Sequence, residues 1–208
     1  MQLETVFRLL FVLSFIAMTA IRGYYQSKLL RHGGRQEIKE GAPSLVAGGV
    51  AALVAIVFGA EYIISPGFFS FTYLLLYPNW LRWLGTLILA SGIAILWASH
   101  YYLGLSFHSL IVVKEDHALV EDGPYRLIRH PIYSAYIMNY LGGGLLASNL
   151  VLTFLPVTLY ALLVCLRVGK EEQVLIDTFG QRYIDYMQRT GRLVPRFRIL
   201  RGDGNDCS

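Results

Sequence analysis

Residues 131–166 read PIYSAYIMNYLGGGLLASNLVLTFLPVTLYALLVCL, 36 residues without a single Asp, Glu, Lys or Arg. As one straight helix this stretch would be about 54 Å long, at ~1.5 Å per residue, against a hydrocarbon core of about 30 Å. It must therefore double back. Ala147-Ser148-Asn149 is the natural turn, and it leaves two arms close to the lower limit for crossing, about 17 residues each. The expectation is a helical hairpin whose two ends return to one face of the membrane. Residues just before Pro131 and just after Leu166 then become neighbours.

Three further apolar stretches precede the hairpin: Phe7 to Ile21 (extended by Leu3 to Val6), Pro43 to Ala60, and Leu81 to Ser99. Ala17 to Ala20 would permit signal cleavage, but Glu4 beside Arg8 makes a poor positive flank, so the first stretch is expected to remain as a span. The fold class that follows is an all-α integral membrane protein of about five transmembrane helices. Only 15% of the 208 residues are charged, where a soluble domain carries about 25%, and the deficit falls in blocks.

Basic residues collect in alternate connections. Arg22 to Lys39 holds five, Lys170 to Arg201 seven, and His100 to His130 contains Lys114, Arg126 and Arg129, whereas Ser65 to Asn79 and Ala147 to Asn149 hold none. The expected topology is multi-pass, with the N-terminus outside and the C-terminus cytoplasmic. Aromatic-rich Phe68 to Trp80 becomes an outer interfacial loop or short helix. The net charge of +4 does not indicate nucleic acid, because the cations flank apolar blocks and no nucleic-acid module accompanies them.

Ionisable groups are costly at membrane depth, so a cluster at a helix mouth is a functional hypothesis. Arg129-His130-Pro131-Ile132-Tyr133 opens the fourth span; Arg167, Glu171 and Glu172 close the fifth. Arg167 and Glu171 are four apart and share a helix face. By itself that spacing is an ordinary ion pair, but the hairpin carries it to His130 and Tyr133. Leu175, Phe179, Tyr183 and Met187 form a stripe expected to make a cytoplasmic C-terminal amphipathic helix, lying on the membrane or capping the site. Gly142-Gly143-Gly144 lacks the strand and Lys-Ser/Thr of a phosphate loop and suits close packing or cofactor access. The cysteines, Cys165 and Cys207, and the five scattered histidines show no metal-ligand spacing.

The pattern His117-Ala118-Leu119-Val120, then Gly123-Pro124-Tyr125, then Arg129-His130-Pro131-Ile132-Tyr133 resembles the core of the isoprenylcysteine carboxyl methyltransferases and related bacterial membrane methyltransferases. The second half agrees, with Arg167 and Glu171-Glu172, Phe179-Gly180, Tyr183, Tyr186, and Arg192-Leu193-Val194-Pro195. The likeness spans about Ile111 to Phe197. It implies that His117, Ala118, Leu119, Val120, Tyr125, His130, Pro131, Ile132 and Tyr133 line an S-adenosylmethionine site. It also implies that Glu171 contacts the cofactor and Arg167 faces the substrate, these two being the candidate catalytic residues. The chemistry is compatible: a carboxylate can take the cofactor's ammonium, tyrosines can flank a sulfonium or adenine, and an arginine can orient a carboxylate through paired hydrogen bonds.

Residues 1–105 then hold the first three spans. Residues 106–201 are expected to form the cofactor-binding core with the hairpin and C-terminal helix, and residues 202–208 a disordered tail. The expected partners are a lipophilic small-molecule or lipidated substrate and membrane lipids. The leading reading is carboxyl methylation of a prenylcysteine-like substrate. A phospholipid amine N-methyltransferase stays open, because an amine must lose a proton and Glu172 is a candidate base. A non-enzymatic scaffold retaining only the fold is the third reading.

Overall fold

The computed structural model describes residues 2–31, 42–73, 75–104 and 119–196. They form six α-helices: α1 (Gln2–Arg31), α2 (Ala42–Ile64), α3 (Asn79–Leu103), α4 (Pro131–Ala147), α5 (Leu150–Phe179) and α6 (Gln181–Arg189). Short 3-10 turns occupy Ser70–Tyr73, within the aromatic connection, and Gly123–Arg126. Helices α1, α2, α3 and α5 are long and apolar enough to cross a membrane. α4 has 17 residues, the lower limit of that range. Leu13, Ile16, Leu53, Leu87 and Phe154 point outward and are exposed, as lipid-facing side chains must be.

The 36-residue stretch folds as a hairpin at the expected place. Ser148 caps α4 in the left-handed conformation, at φ 54° and ψ 39°. Asn149 caps α5 by accepting from the Leu152 amide at 3.0 Å, a cap worth about 1 kcal/mol. The turn is pinned from outside: the Tyr77 amide donates to Ser148 Oγ at 2.8 Å and Asn149 Nδ2 to Thr72 Oγ1 at 3.0 Å.

Small residues let α3 and α4 approach backbone to backbone. A Cβ on Gly142 would lie 2.7 Å from the Gly85 carbonyl oxygen, and one on Gly85 would lie 2.8 Å from the Leu146 amide. The next two glycines serve other neighbours. Gly143 faces Phe11 of α1 with room to spare at 3.6 Å, and Gly144 abuts the backbone of Thr153 where the hairpin closes.

Buried charge stitches the hairpin-turn end. Arg82 of α3 donates to Glu4 of α1 at 2.7 Å, to the Tyr62 hydroxyl of α2 at 3.0 Å, and to the Leu146 carbonyl of α4 at 2.9 Å. Its guanidinium also lies over the Phe7 ring, 4.0 Å from the centroid. One cation thus ties four helices together. In the sequence these residues read only as span-mouth charges.

Two boundaries differ from expectation. α1 continues past Ile21 to Arg31, so Arg22 lies on the helix rather than opening a loop. The Leu175–Met187 stripe is divided between two helices. α5 runs on to Phe179, Gly180 at φ 56° ends it, and α6 turns back carrying Tyr183 and Met187. The reason is backbone conformation: a positive φ suits glycine and interrupts the helical register the stripe assumed.

Candidate functional site

At the end of the bundle opposite the hairpin turn, the start of α4 meets the far half of α5. A segment after α6 locks them. The Arg129 amide donates to the Gly191 carbonyl at 2.8 Å, His130 to Arg192 at 3.1 Å, and Gly191 back to Leu127 at 3.0 Å. Ser134 Oγ adds a bond to the Leu193 carbonyl at 2.5 Å. Backbone groups that have no helix partner before Pro131 thus find partners about 60 positions later, which satisfies buried main chain and fixes the mouth of α4.

Glu171 and Glu172 sit side by side in this junction, each 3% exposed. Tyr133 donates to Glu171 Oε1 at 2.6 Å, and Arg167 donates to the same oxygen from one turn earlier on α5. Glu171 Oε2 accepts no hydrogen bond; His130 Nδ1 stands 3.6 Å away. Glu172 is held by arginines on both oxygens, by Arg129 on Oε1 at 2.9 Å and by Arg192 on Oε2. Arg129 also donates to the carbonyls of Met187 at 3.0 Å and Thr190 at 2.6 Å, capping α6. His130 Nε2 lies 3.4 Å from Glu172 Oε1 without an aligned hydrogen bond, and the imidazole stacks on Tyr133 with ring centroids 5.8 Å apart.

α6 forms the lid of the junction. It buries Tyr183 and Tyr186 and exposes Gln181, Arg182, Asp185 and Gln188. The Tyr186 hydroxyl donates to the Tyr125 carbonyl at 2.6 Å. Glu121 receives both Arg182 and Arg189, tying the 3-10 turn to the outer side of α6. Burial pushes the phenols of Tyr125, Tyr183 and Tyr186 up, so each stays a neutral donor. The Tyr183 hydroxyl has no hydrogen-bond partner. The hydrogen bond to Glu172, its main cause, raises the Arg192 guanidinium further.

The fold therefore gathers His130, Pro131, Tyr133, Arg167 and Glu171 at one place. Pro131 fills the first position of α4, and Ile132 is partly buried beside it. Tyr125 is buried under α6, with its carbonyl engaged. Leu119 and Val120 are partly buried and lead into the 3-10 turn. His117 and Ala118 lie outside the described residues, as do residues 202–208. The pairing of Glu172 with Arg129 and Arg192 is the part that sequence reasoning missed. Both arginines stood in the motifs, but no local spacing joins positions 129, 172 and 192. No group of three His, Cys, Asp or Glu suited to a metal occurs among the described residues.

The donor set suits a small zwitterion carrying extra positive charge. A buried carboxylate oxygen that accepts no hydrogen bond can accept from an ammonium. His130 Nε2, 3.4 Å from Glu172 Oε1, and the Tyr183 hydroxyl are two further buried groups without a hydrogen bond.

Comparison with known proteins points the same way. Residues 83–177 match the model of the isoprenylcysteine carboxyl methyltransferase family, and such a family implies a methyl donor. Protein-S-isoprenylcysteine O-methyltransferase A of Arabidopsis thaliana is 30% identical over 137 residues, 60% of this chain and 66% of that protein. A cobalt-zinc-cadmium resistance protein of Cupriavidus metallidurans is 27% identical over 129 residues, 58% of this chain and 55% of that protein. This chain spans about half the length of the curated relatives it matches. The solved structure of the eukaryotic intramembrane Ras methyltransferase has the same fold, with a TM-score of 0.58 at 23% identity, covering 90% of this chain and 62% of that one. With that fold and four helices of spanning length, the chain is a multi-pass membrane protein. The ordered motif blocks, the hairpin architecture and the matched segment agree: residues 83–177 are similar to the isoprenylcysteine carboxyl methyltransferase family.

Proposed function

We propose that this protein is an S-adenosylmethionine-dependent membrane methyltransferase that methylates the carboxylate of a lipophilic, prenylcysteine-like substrate. The observation that carries the reading is the buried oxygen of Glu171 that accepts no hydrogen bond, set among His130, Tyr133 and Arg167 within the family-matched segment. When bound, the cofactor supplies a sulfonium methyl that a carboxylate can take by direct displacement without losing a proton. Glu171 Oε2 would hold the ammonium, with Tyr133 and Arg167 on Oε1 fixing the carboxylate's rotamer. His130 would hydrogen-bond the carboxylate end of the cofactor. Leu119, Val120, Tyr125, Pro131 and Ile132 would line its remainder, with His117 and Ala118 assigned by resemblance alone.

Arg167 orients the substrate. It is partly exposed, its side chain 22% accessible, so it can reach from Glu171 toward an incoming carboxylate. Positioning two reactants in this way supplies most of the rate advantage expected of such a site. α6 and its buried tyrosines would exclude water above the junction. The amine reading needs a proton acceptor, and its candidate, Glu172, is already engaged on both oxygens by arginines, which weighs against it. α4 is read as the fourth of five spans, with the N-terminus outside and the site at the cytoplasmic face.

The test is titration of radiolabelled S-adenosylmethionine onto the purified protein in detergent, beside His130→Ala and Glu171→Ala. Saturable binding lost in both variants supports the cofactor site. Assays of prenylcysteine carboxylates against phosphatidylethanolamine then separate carboxyl from amine transfer. A folded wild type that binds no S-adenosylmethionine would overturn the enzyme reading in favour of a scaffold.

A further inference from the structure

Arg22 lies inside the first apolar helix, within the span Gln2–Lys28. Its guanidinium donates to the Tyr136 hydroxyl of α4 at 3.3 Å. Tyr140 of α4 and Tyr160 of α5 pack around Tyr136, with ring centroids 6.4 and 5.4 Å from it. No Asp or Glu pairs with Arg22 among the described residues, in contrast to Arg82, Arg129, Arg167 and Arg192, each of which has a carboxylate. A cation at this depth normally faces the protein and finds an anion. Among the described residues its partner is a phenol, and Arg22 itself remains exposed.

The tyrosines form a continuous strip from Arg22 to the site. Tyr133, Tyr136 and Tyr140 recur at the spacing of one helix face. Tyr160 lies 5.4 Å from Tyr136, 5.5 Å from Tyr140 and 6.2 Å from Tyr133, centroid to centroid. Tyr133 then donates to Glu171. The two helices flanking this strip part company around it. Near the hairpin-turn end α1 and α2 meet, through Phe11 and Glu4 on Tyr62. Toward the site, α1 stacks Tyr25 on His100 of α3, while α2 sets Ala47 and Ala51 in the cluster with Tyr160 and Leu163 of α5. Tyr136 and Tyr140 are left partly exposed.

We infer that Arg22 and Tyr136 form a second anion-binding point, distinct from Arg167, at which the carboxylate head of the lipophilic substrate docks beside the tyrosine strip before Arg167 orients it for transfer. This rests on the proposed function above, and it makes Arg22 a residue that selects an acidic lipid over its neutral ester. The chemistry is a guanidinium and a phenol hydroxyl offered jointly to a carboxylate, a charge-assisted arrangement stronger than either neutral bond.

The experiment measures equilibrium binding of a fluorescent S-farnesylcysteine carboxylate, its methyl ester and S-adenosylmethionine to wild type, R22Q, R22K and Y136F. Melting temperature is measured alongside to establish folding. In R22Q the carboxylate should bind about tenfold more weakly, with the ester and S-adenosylmethionine unchanged, and R22K should recover most of the loss. Carboxylate affinity within twofold of wild type, or equal losses for carboxylate and ester, would overturn the assignment. A parallel arm in nanodiscs with and without phosphatidate tests the other source of the same anion. Loss of phosphatidate binding alone would also overturn it, making Arg22 a headgroup anchor. A wild type that fails to bind S-adenosylmethionine is the separate failure of the enzyme reading.

Discussion

Glu171 and Glu172 are adjacent on α5 and equally buried, yet they answer to different halves of the molecule. Glu171 is held by Tyr133 and Arg167 on one oxygen and keeps the other without a hydrogen bond. Glu172 is engaged on both oxygens by Arg129 and Arg192, which belong to the locks before α4 and after α6. The first keeps a hydrogen-bond acceptor unused; the second holds the junction shut.

Glu171→Gln should therefore leave the fold intact and weaken S-adenosylmethionine binding. A hydrogen bond to a charged group is worth about 1.5–3 kcal/mol, so the expected loss is roughly tenfold to a hundredfold in Kd. Radioligand titration checks it, with an unchanged melting temperature as the control.

Glu172→Gln should do the reverse. It strands the Arg129 side chain, 8% accessible, without a counter-charge, and breaking a buried pair in this way costs about 3–5 kcal/mol. A large drop in thermal stability in detergent is expected, partly relieved in the double variant with Arg129→Met, which removes the stranded cation as well.

Tyr133→Phe deletes one of the two bonds on Glu171 Oε1 and keeps the ring. A net effect of about 1 kcal/mol corresponds to a loss of roughly fivefold in cofactor affinity, read by the same titration. A loss as deep as that of Glu171→Gln would mean that the hydroxyl touches the cofactor itself.

The three glycines of α4 should separate by a single methyl. Gly142→Ala pushes into the α3 backbone and Gly144→Ala into Thr153, and overpacking of this kind costs about 1–3 kcal/mol. Gly143→Ala meets only the Phe11 ring at ordinary contact distance and should be neutral. Melting temperatures of the three variants decide it, and equal effects at all three would contradict the packing described.

Much of this protein was determined along the chain itself. Hydrocarbon thickness against helix rise forces the 36-residue stretch to turn, and Asn149 supplies the cap at the turn. That local arithmetic alone brings His130, Tyr133, Arg167 and Glu171 to one end of the bundle. What only the tertiary structure decided is how each helix is rotated and what meets it from far away. The Glu172 clamp joins positions 129, 172 and 192, Arg82 joins four helices, Arg22 meets a tyrosine 114 positions away, and each of three consecutive glycines faces a different neighbour. Periodicity assigns a residue to a face but not the partner opposite it, because that partner is set by ridge-and-groove packing between helices rather than by spacing within one.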